Sequence, residues 1–449
     1  MPRHCSKPKS GKRLAKRSAP QKLTDKQRAA ERARLQAELV KDAAATFVQR
    51  LVYLRLLEAA GLRTVAVVTG GTASRGYLDF RAVAPALVGD ETEGYAVLLG
   101  LVFDDLAHEL PGLYGAVRLT ALVPLPPKAW KAALDVVNDP ELATVWTDDT
   151  ALGWIYQYWN DPEREALDAK LAARAKLENH ELASKTQMFT ERYMVEWLLH
   201  NSLCQQWLAT CARNGWVAEA RGSGVLDALE ARRADWRVKR EAGAVALDAL
   251  MPIAEGLEDR WKYWVPQPLP EDAVASAPVS VRDLKVLDPA CGSGHFLVIA
   301  MDLLFALYQE EARHRGVAGQ AGWTEREIVE AILERNLFGL DIDPRAVQIA
   351  AAAVMLKART LCKDATPRTL NLVAPALGLA DLPKDDPARV ELLTAVEAET
   401  GLPQAVTARV LDALAGADHL GSLLRVEDAV REAVAEWDGK LATTVPVQG

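Results

Sequence analysis

Lys285-Val286-Leu287-Asp288-Pro289-Ala290-Cys291-Gly292-Ser293-Gly294-His295-Phe296-Leu297 is the stretch whose reading decides the fold. A short β-leaning segment ends in an acid, crosses a glycine turn and opens an amphipathic helix. Phe296, Ile299, Ala300, Leu303, Leu304 and Leu307 recur there at helical spacing, which predicts one apolar face. Strand, glycine turn and helix N-terminus together form a cradle for a nucleotide-like ligand. His295-Phe296-Leu297 follows Gly294, so the third glycine of the dinucleotide fingerprint is missing. No lysine follows either, which excludes a Walker loop.

Outward from this turn the pattern alternates as α/β. Strands are expected at 285–288, 336–340 and 369–374, with helices at 296–313, 324–334 (Thr324 as N-cap) and 345–361. Asp341-Ile342-Asp343-Pro344 forms the turn after the second strand. A carboxylate at Asp341 can take both hydroxyls of a ribose, although an inserted helix makes its distance from the glycine turn longer than the roughly 20 residues of a minimal nucleotide-binding unit. The plainer role for Asp341 and Asp343 is capping of the next helix. An acid at one strand end, glycines permitting close backbone approach and a second strand-end acid suit a ligand without a pyrophosphate. S-adenosylmethionine meets that description.

The totals set the frame. The chain has 449 residues, half of them hydrophobic and a quarter charged, with a net charge of -8. That is ordinary for a globular protein of two or three domains and does not itself signal nucleic-acid binding. Twelve Lys and Arg between Arg3 and Arg34 oppose only Asp25 and Glu31. This run reads as a solvated, disordered tail or as a nonspecific phosphate-binding arm. The N-terminus has no apolar core of a secretory signal, and no apolar run is long enough to span a membrane. Cys5, Cys204, Cys211, Cys291 and Cys362 form no Cys-x-x-Cys pair and no Cys/His set. A reduced, cytoplasmic protein without a metal site is the expectation.

Five regions follow: a basic tail (1–35), a helical N-terminal domain (36–180), a helical segment ending in a Pro-rich linker (181–275), a partial α/β domain (276–380) and a helical C-terminal segment (381–449). A long helix or two is expected over 26–62. Thr69-Gly70-Gly71-Thr72 reads as a turn. Gly153-Trp154-Ile155-Tyr156-Gln157-Tyr158-Trp159 reads as an inter-helix packing cluster or a base-stacking platform. A separate charged helix is expected over 162–181. Thr190 is expected to cap the next helix, with Tyr193, Met194, Trp197 and Leu198 as its apolar stripe. Residues 213–264 read as largely helical.

Asp288-Pro289-Ala290-Cys291-Gly292-Ser293-Gly294-His295-Phe296 resembles motif I of the amino-methyltransferases that modify adenine in DNA. Phe338-Gly339-Leu340-Asp341-Ile342-Asp343-Pro344 resembles their motif II, and Phe189-Thr190-Glu191-Arg192-Tyr193 the threonine motif that precedes motif I in the adenine-N6 branch. Phe47 to Leu51, Leu57 to Gly61, Gly153 to Tyr158 and Gly421-Ser422-Leu423-Leu424 are similar to segments of the PglX methyltransferases of BREX phage-defence systems, so the resemblance covers roughly residues 40 to 430. It implies a Rossmann-like α/β domain, here incomplete, that binds S-adenosylmethionine and acts on adenine in DNA within a restriction-modification or phage-defence system. Carried over, Thr190, Asp288, Ala290, Gly292, Gly294, Phe296, Asp341 and Ile342 would line the cofactor site, with Ile342 on the adenine ring. The third strand departs from the pattern: Ala374-Pro375 follows Asn371-Leu372-Val373, where many members place an Asp or Asn.

The larger departure concerns catalysis. The family activates the weakly nucleophilic adenine amine with Asn/Asp-Pro-Pro-Tyr/Phe, whose oxygens accept the amine protons while its ring stacks the flipped base. The one Pro-Pro in the sequence, Pro126-Pro127, lies between Leu125 and Lys128. No catalytic residue is therefore assigned. The expectation is a cofactor-binding part that is inactive alone, its catalytic and target-recognition parts being either carried by a second polypeptide or lost by truncation or frameshift. The alternative is a noncatalytic S-adenosylmethionine-binding subunit of a DNA-bound assembly. Methylation of RNA or protein is a third reading, disfavoured by the Asp-Pro-Ala start of the motif.

Overall fold

The computed structural model describes residues 25–115, 123, 125–148, 150–174, 190–374 and 383–413. Most of the basic tail, Phe189, the segment from Gly421 to Leu424 and any helices after residue 413 lie outside the described residues. Helix α1 (Asp25–Ala59) is one continuous element, ending before the positive-φ Gly61. Its Leu51, Leu54 and Leu57 are buried, together with Leu99 and Phe103 of α2 (Tyr95–Glu109). Helix α3 (Ala151–Ala172) carries Pro162 inside it, so the aromatic patch and the charged segment lie on one helix and not on two.

Helix α4 (Arg192–Asn214) corrects two expectations. Glu191, not Thr190, occupies the N-cap position, and no side chain caps it. The expected stripe of Tyr193, Met194, Trp197 and Leu198 faces outward, each 43–52% exposed. The buried face is instead Val195, Leu199, Leu203 and Trp207, with Glu196 and His200 among them. Those polar groups can be interior because Lys262 Nζ sits 2.8 Å from Glu196, and the amide of Tyr263 donates to His200 Nδ1 at 3.3 Å. Helix α5 (Val225–Glu241) follows, but residues 242–258 are mainly turns and coil, less helical than expected. The Pro-rich segment is laid against α4: Gln205 donates to the carbonyl of Pro268, Asn214 to that of Val279, and a short helix, Glu271–Ser276, packs on the same element.

The second half forms a three-stranded parallel sheet in the order β1 (Val286–Asp288), β2 (Leu337–Leu340), β3 (Asn371–Val373). The register aligns Asp288 with Gly339 and Gly339 with Leu372. Helix α6 (His295–Arg315) is buried on nearly all sides, Leu297, Val298, Ala300, Met301 and Leu304 included, so the predicted single apolar face understates it. Helix α7 (Glu325–Ala331) starts with a capping box in which Thr324 and Glu327 exchange hydrogen bonds. A π-helical turn, Ile332–Asn336, delivers the buried Asn336, whose amide donates to the carbonyls of Val281 and Leu284 while Tyr308 Oη donates to its oxygen. Helix α8 (Pro344–Leu361) is alanine-rich and packs closely on α6.

Gly339 shows why the central strand needs a residue without Cβ: an added one would meet Leu372 at 2.7 Å and Leu297 at 3.0 Å. The helical N-terminal region joins the sheet region through α8. Arg359 pairs with Glu109 at 2.6 Å, and Arg345 with Asp42 at 3.4 Å. One face of the sheet is packed by α6 and α8; on the other, Leu287, Leu340 and Val373 are 40–57% exposed. Parallel sheets ordinarily carry cover on both faces.

Candidate cofactor-binding site

The structure brings the two strand-end acids to one glycine turn. The amide of Cys291 donates to the carbonyl of Leu340 at 2.8 Å, tying the turn to the end of β2. One oxygen of Asp341 accepts the amide of Gly292 at 2.8 Å, and the other accepts that of Asp343 at 2.8 Å. Asp288 accepts the amide of Ala290 at 3.1 Å. Burial raises the Asp288 carboxyl above the usual range against that amide, and nearby Asp341 adds to the rise. Cys291 lies beneath this pair; burial first, then Asp341 and Asp288, push its thiol up to about 12. It remains a neutral packing group and not a nucleophile at neutral pH.

The two glycines differ in purpose. Gly294, at φ 81°, caps α6, and an added Cβ would lie 2.9 Å from the Cα of Ala350. It sets the close approach of α6 and α8. Gly292, at φ 52°, faces open space, with nothing within 4 Å of an added Cβ. Ala290 is exposed, Ile342 is 51% exposed and Phe296 is half-buried. An open glycine, two carboxylates and an exposed apolar Ile342 at the C-terminal ends of β1 and β2 fit the donors and faces of a nucleoside with an amino-acid tail. Thr190 sits half-buried just before α4, which packs on α6, but the described hydrogen bonds of the turn do not include it.

Asp343 separates from Asp341 in role. It caps α8 through the amide of Arg345, pairs with the Arg345 guanidinium at 2.9 Å and accepts Tyr156 Oη at 2.9 Å. Burial raises its carboxyl, but the hydrogen bonds and charge of Arg345 outweigh that and hold it below the usual range. Tyr156 of the aromatic patch is thus a buried anchor of the turn, a link that no spacing in the sequence announces. Its neighbours divide: Trp154 stacks on Tyr158 at 6.1 Å, and Tyr158 is 62% exposed.

Two cavities lie away from the glycine turn. One of about 430 Å³ is lined by Arg192, Glu196, His200, Asp259 and Asp302 between α4 and α6. Burial lowers His200 there to about 4, so it is neutral at physiological pH. The other, about 630 Å³, opens beside Trp197, Trp236 and Tyr263. Neither contains the strand-end acids, so chemistry and not volume selects the candidate site.

Residues 273–390 match the model of the DNA-methyltransferase domain of MmeI. The chain is related to adenine-specific methyltransferases. It is 30% identical over 278 residues to the adenine-specific methyltransferase PglX of Lacticaseibacillus casei (strain Zhang), covering 60% of this chain and 19% of that protein. It is 28% identical over 263 residues to the adenine-specific methyltransferase BrxX of Escherichia coli O9:H4 (strain HS), covering 57% of this chain and 17% of the relative. The chain therefore spans about a fifth of the length of these relatives. The glycine turn, Asp341 and the whole sheet fall inside the matched domain. Among the described residues, no helix is long and apolar enough to cross a membrane.

Proposed function

We propose that this chain is the S-adenosylmethionine-binding part of an adenine-N6 DNA methyltransferase of a BREX-type phage-defence or restriction-modification system. The observation that carries the reading is the junction of Gly292 with Asp341 at the mouth of the sheet, inside the segment matched to a DNA-methyltransferase domain. When bound, the cofactor supplies the activated methyl group. Asp341 would hold the ribose hydroxyls, exchanging its bond to the Gly292 amide for bonds to the ligand. Asp288 and the backbone at Ala290 and Gly292 would hold the amino-acid end, with Thr190 assisting. Ile342 would cover one face of the adenine, Phe296 would line the turn, and Gly294 would keep α6 close beneath it.

The 449 residues contain no Asn/Asp-Pro-Pro-Tyr/Phe, so the groups that would accept protons from the target amine lie outside them, in a further segment or in a second polypeptide. The exposed sheet face at Leu287, Leu340 and Val373 supports a seat for that part. Co-expression with a polypeptide carrying such a motif is expected to yield N6-methyladenine in DNA, measured by mass spectrometry of nucleosides, while this chain alone yields none. Methyl transfer by the purified chain alone would overturn the division of labour. A second reading is a noncatalytic cofactor-binding subunit of a DNA-bound assembly. It predicts cofactor and partner binding but no adenine methylation in the reconstituted complex.

A further inference from the structure

Far from the glycine turn, Cys211 near the end of α4 meets Glu310 and His314 on α6, and their donor atoms lie within 4.8 Å of one another. Glu310 and His314 are one helical turn apart and face the same side. Cys211 and Glu310 are both buried, Glu310 being 3% exposed. The adjacent Glu311 shows what a compensated buried acid looks like here: it accepts the amide of Val281 at 2.7 Å and Arg315 Nε at 2.6 Å. Glu310 receives only the amide of Glu219, at 2.8 Å, among the described hydrogen bonds. His314 Nε2 lies 3.5 Å from its oxygen, buried and without a hydrogen-bond partner. Trp216 stacks on the imidazole at 5.2 Å and 8°, fixing the ring plane. A buried carboxylate, a buried thiol and an orphaned imidazole nitrogen converge on one point.

We propose that Cys211, Glu310 and His314 form a three-ligand site for a divalent cation of the zinc class, with water in the fourth position. The donor set is one that zinc accepts, and a thiolate with a carboxylate neutralises the ion. Bond lengths of about 2.3 Å to sulfur and about 2.0–2.2 Å to nitrogen and oxygen require a contraction of roughly 1 Å from the present spacing, within reach of side-chain rotation. Binding would release the thiol proton to solvent. The ion would clamp α4 to α6 at the ends remote from Thr190 and the glycine turn, so it stands independently of the cofactor assignment.

Titration of the full chain with Co²⁺ tests this. A thiolate-to-cobalt charge-transfer band should saturate at one ion per chain, accompanied by tetrahedral d–d absorption, and Zn²⁺ should displace it. Cys211→Ser should abolish the band, with an unchanged circular dichroism spectrum, while Cys362→Ser should keep it. Loss even of an outer partner commonly costs about 10–100-fold in metal affinity, so Glu310→Gln should weaken binding by at least about tenfold. Wild-type protein without a thiolate–cobalt band, or a band that survives Cys211→Ser, would overturn the site and leave a Glu310–His314 ion pair. Should Cys211→Ser fail to fold, the wild-type titration and Glu310→Gln decide.

Discussion

Alanine at Gly292 and alanine at Gly294 should separate binding from folding at adjacent points of one turn. Both positions have positive φ, 52° and 81°, which costs a residue with Cβ about 1–2 kcal/mol. At Gly294 the new methyl would also press on Ala350, 2.9 Å from its Cα, and displacing helix α8 adds overpacking of about 1–3 kcal/mol. Gly294→Ala is therefore expected to lose about 2–5 kcal/mol of stability. Gly292→Ala meets no atom within 4 Å and should lose only the backbone cost of about 1–2 kcal/mol. Its methyl instead occupies the side from which a ligand approaches the turn, so S-adenosylmethionine affinity should fall at least about tenfold, or 1.4 kcal/mol. Urea unfolding with a constant m-value reads the first quantity, and calorimetric titration reads the second. Equal destabilisation by both substitutions, or wild-type affinity in Gly292→Ala, would refute this reasoning.

The acids should divide in the same way. Asp341→Ala is expected to weaken cofactor binding by roughly 10–100-fold, since hydrogen bonds to a charged acceptor contribute about 1.5–3 kcal/mol; unchanged calorimetric affinity would remove Asp341 from the site. Asp343→Ala removes the partner that Arg345 and Tyr156 share, while Arg345 keeps Asp42, and should cost about 1–3 kcal/mol of stability in chemical denaturation. Because the folded state holds the Asp343 carboxyl below its unfolded value, its contribution is present at neutral pH and fades as pH falls through the carboxylate range. Asp288 behaves in the opposite sense. Its carboxyl is raised in the folded state, so the ionised form disfavours folding at neutral pH, and Asp288→Asn should raise the melting temperature at pH 7 by an amount that shrinks on acidification. The same substitution should weaken cofactor binding, and a melting temperature lowered at pH 7 would contradict the burial argument.

Much of the α/β half was legible because its signals are local. Asp288, the two glycines, Thr324 as N-cap, and Asp343 before Pro344 each act within a few residues, and strands and helices fall close to the expected positions. Helix α4 departs from its sequence pattern because apolar identity does not decide which face is buried. Tyr193, Met194, Trp197 and Leu198 make an apolar stripe, yet the interior took Glu196 and His200, whose partners Lys262 and Tyr263 lie far along the chain. Pro162 looked like a helix boundary but sits inside α3. At the candidate site, the acids were readable and their division of labour was not. It depends on Tyr156 reaching Asp343 across the structure and on Gly292 bonding to Asp341. In the Cys211, Glu310 and His314 cluster only the i,i+4 spacing of Glu310 and His314 is local; Cys211 comes from a helix distant in sequence.

Calorimetric titration of the unmodified chain with S-adenosylmethionine, alongside NAD and ATP, tests the central claim most directly. Saturable binding of S-adenosylmethionine at one site per chain, with no comparable binding of the two pyrophosphate ligands, is expected from a turn that lacks the third glycine and the lysine. Absence of saturable S-adenosylmethionine binding, or equal binding of NAD, would contradict it.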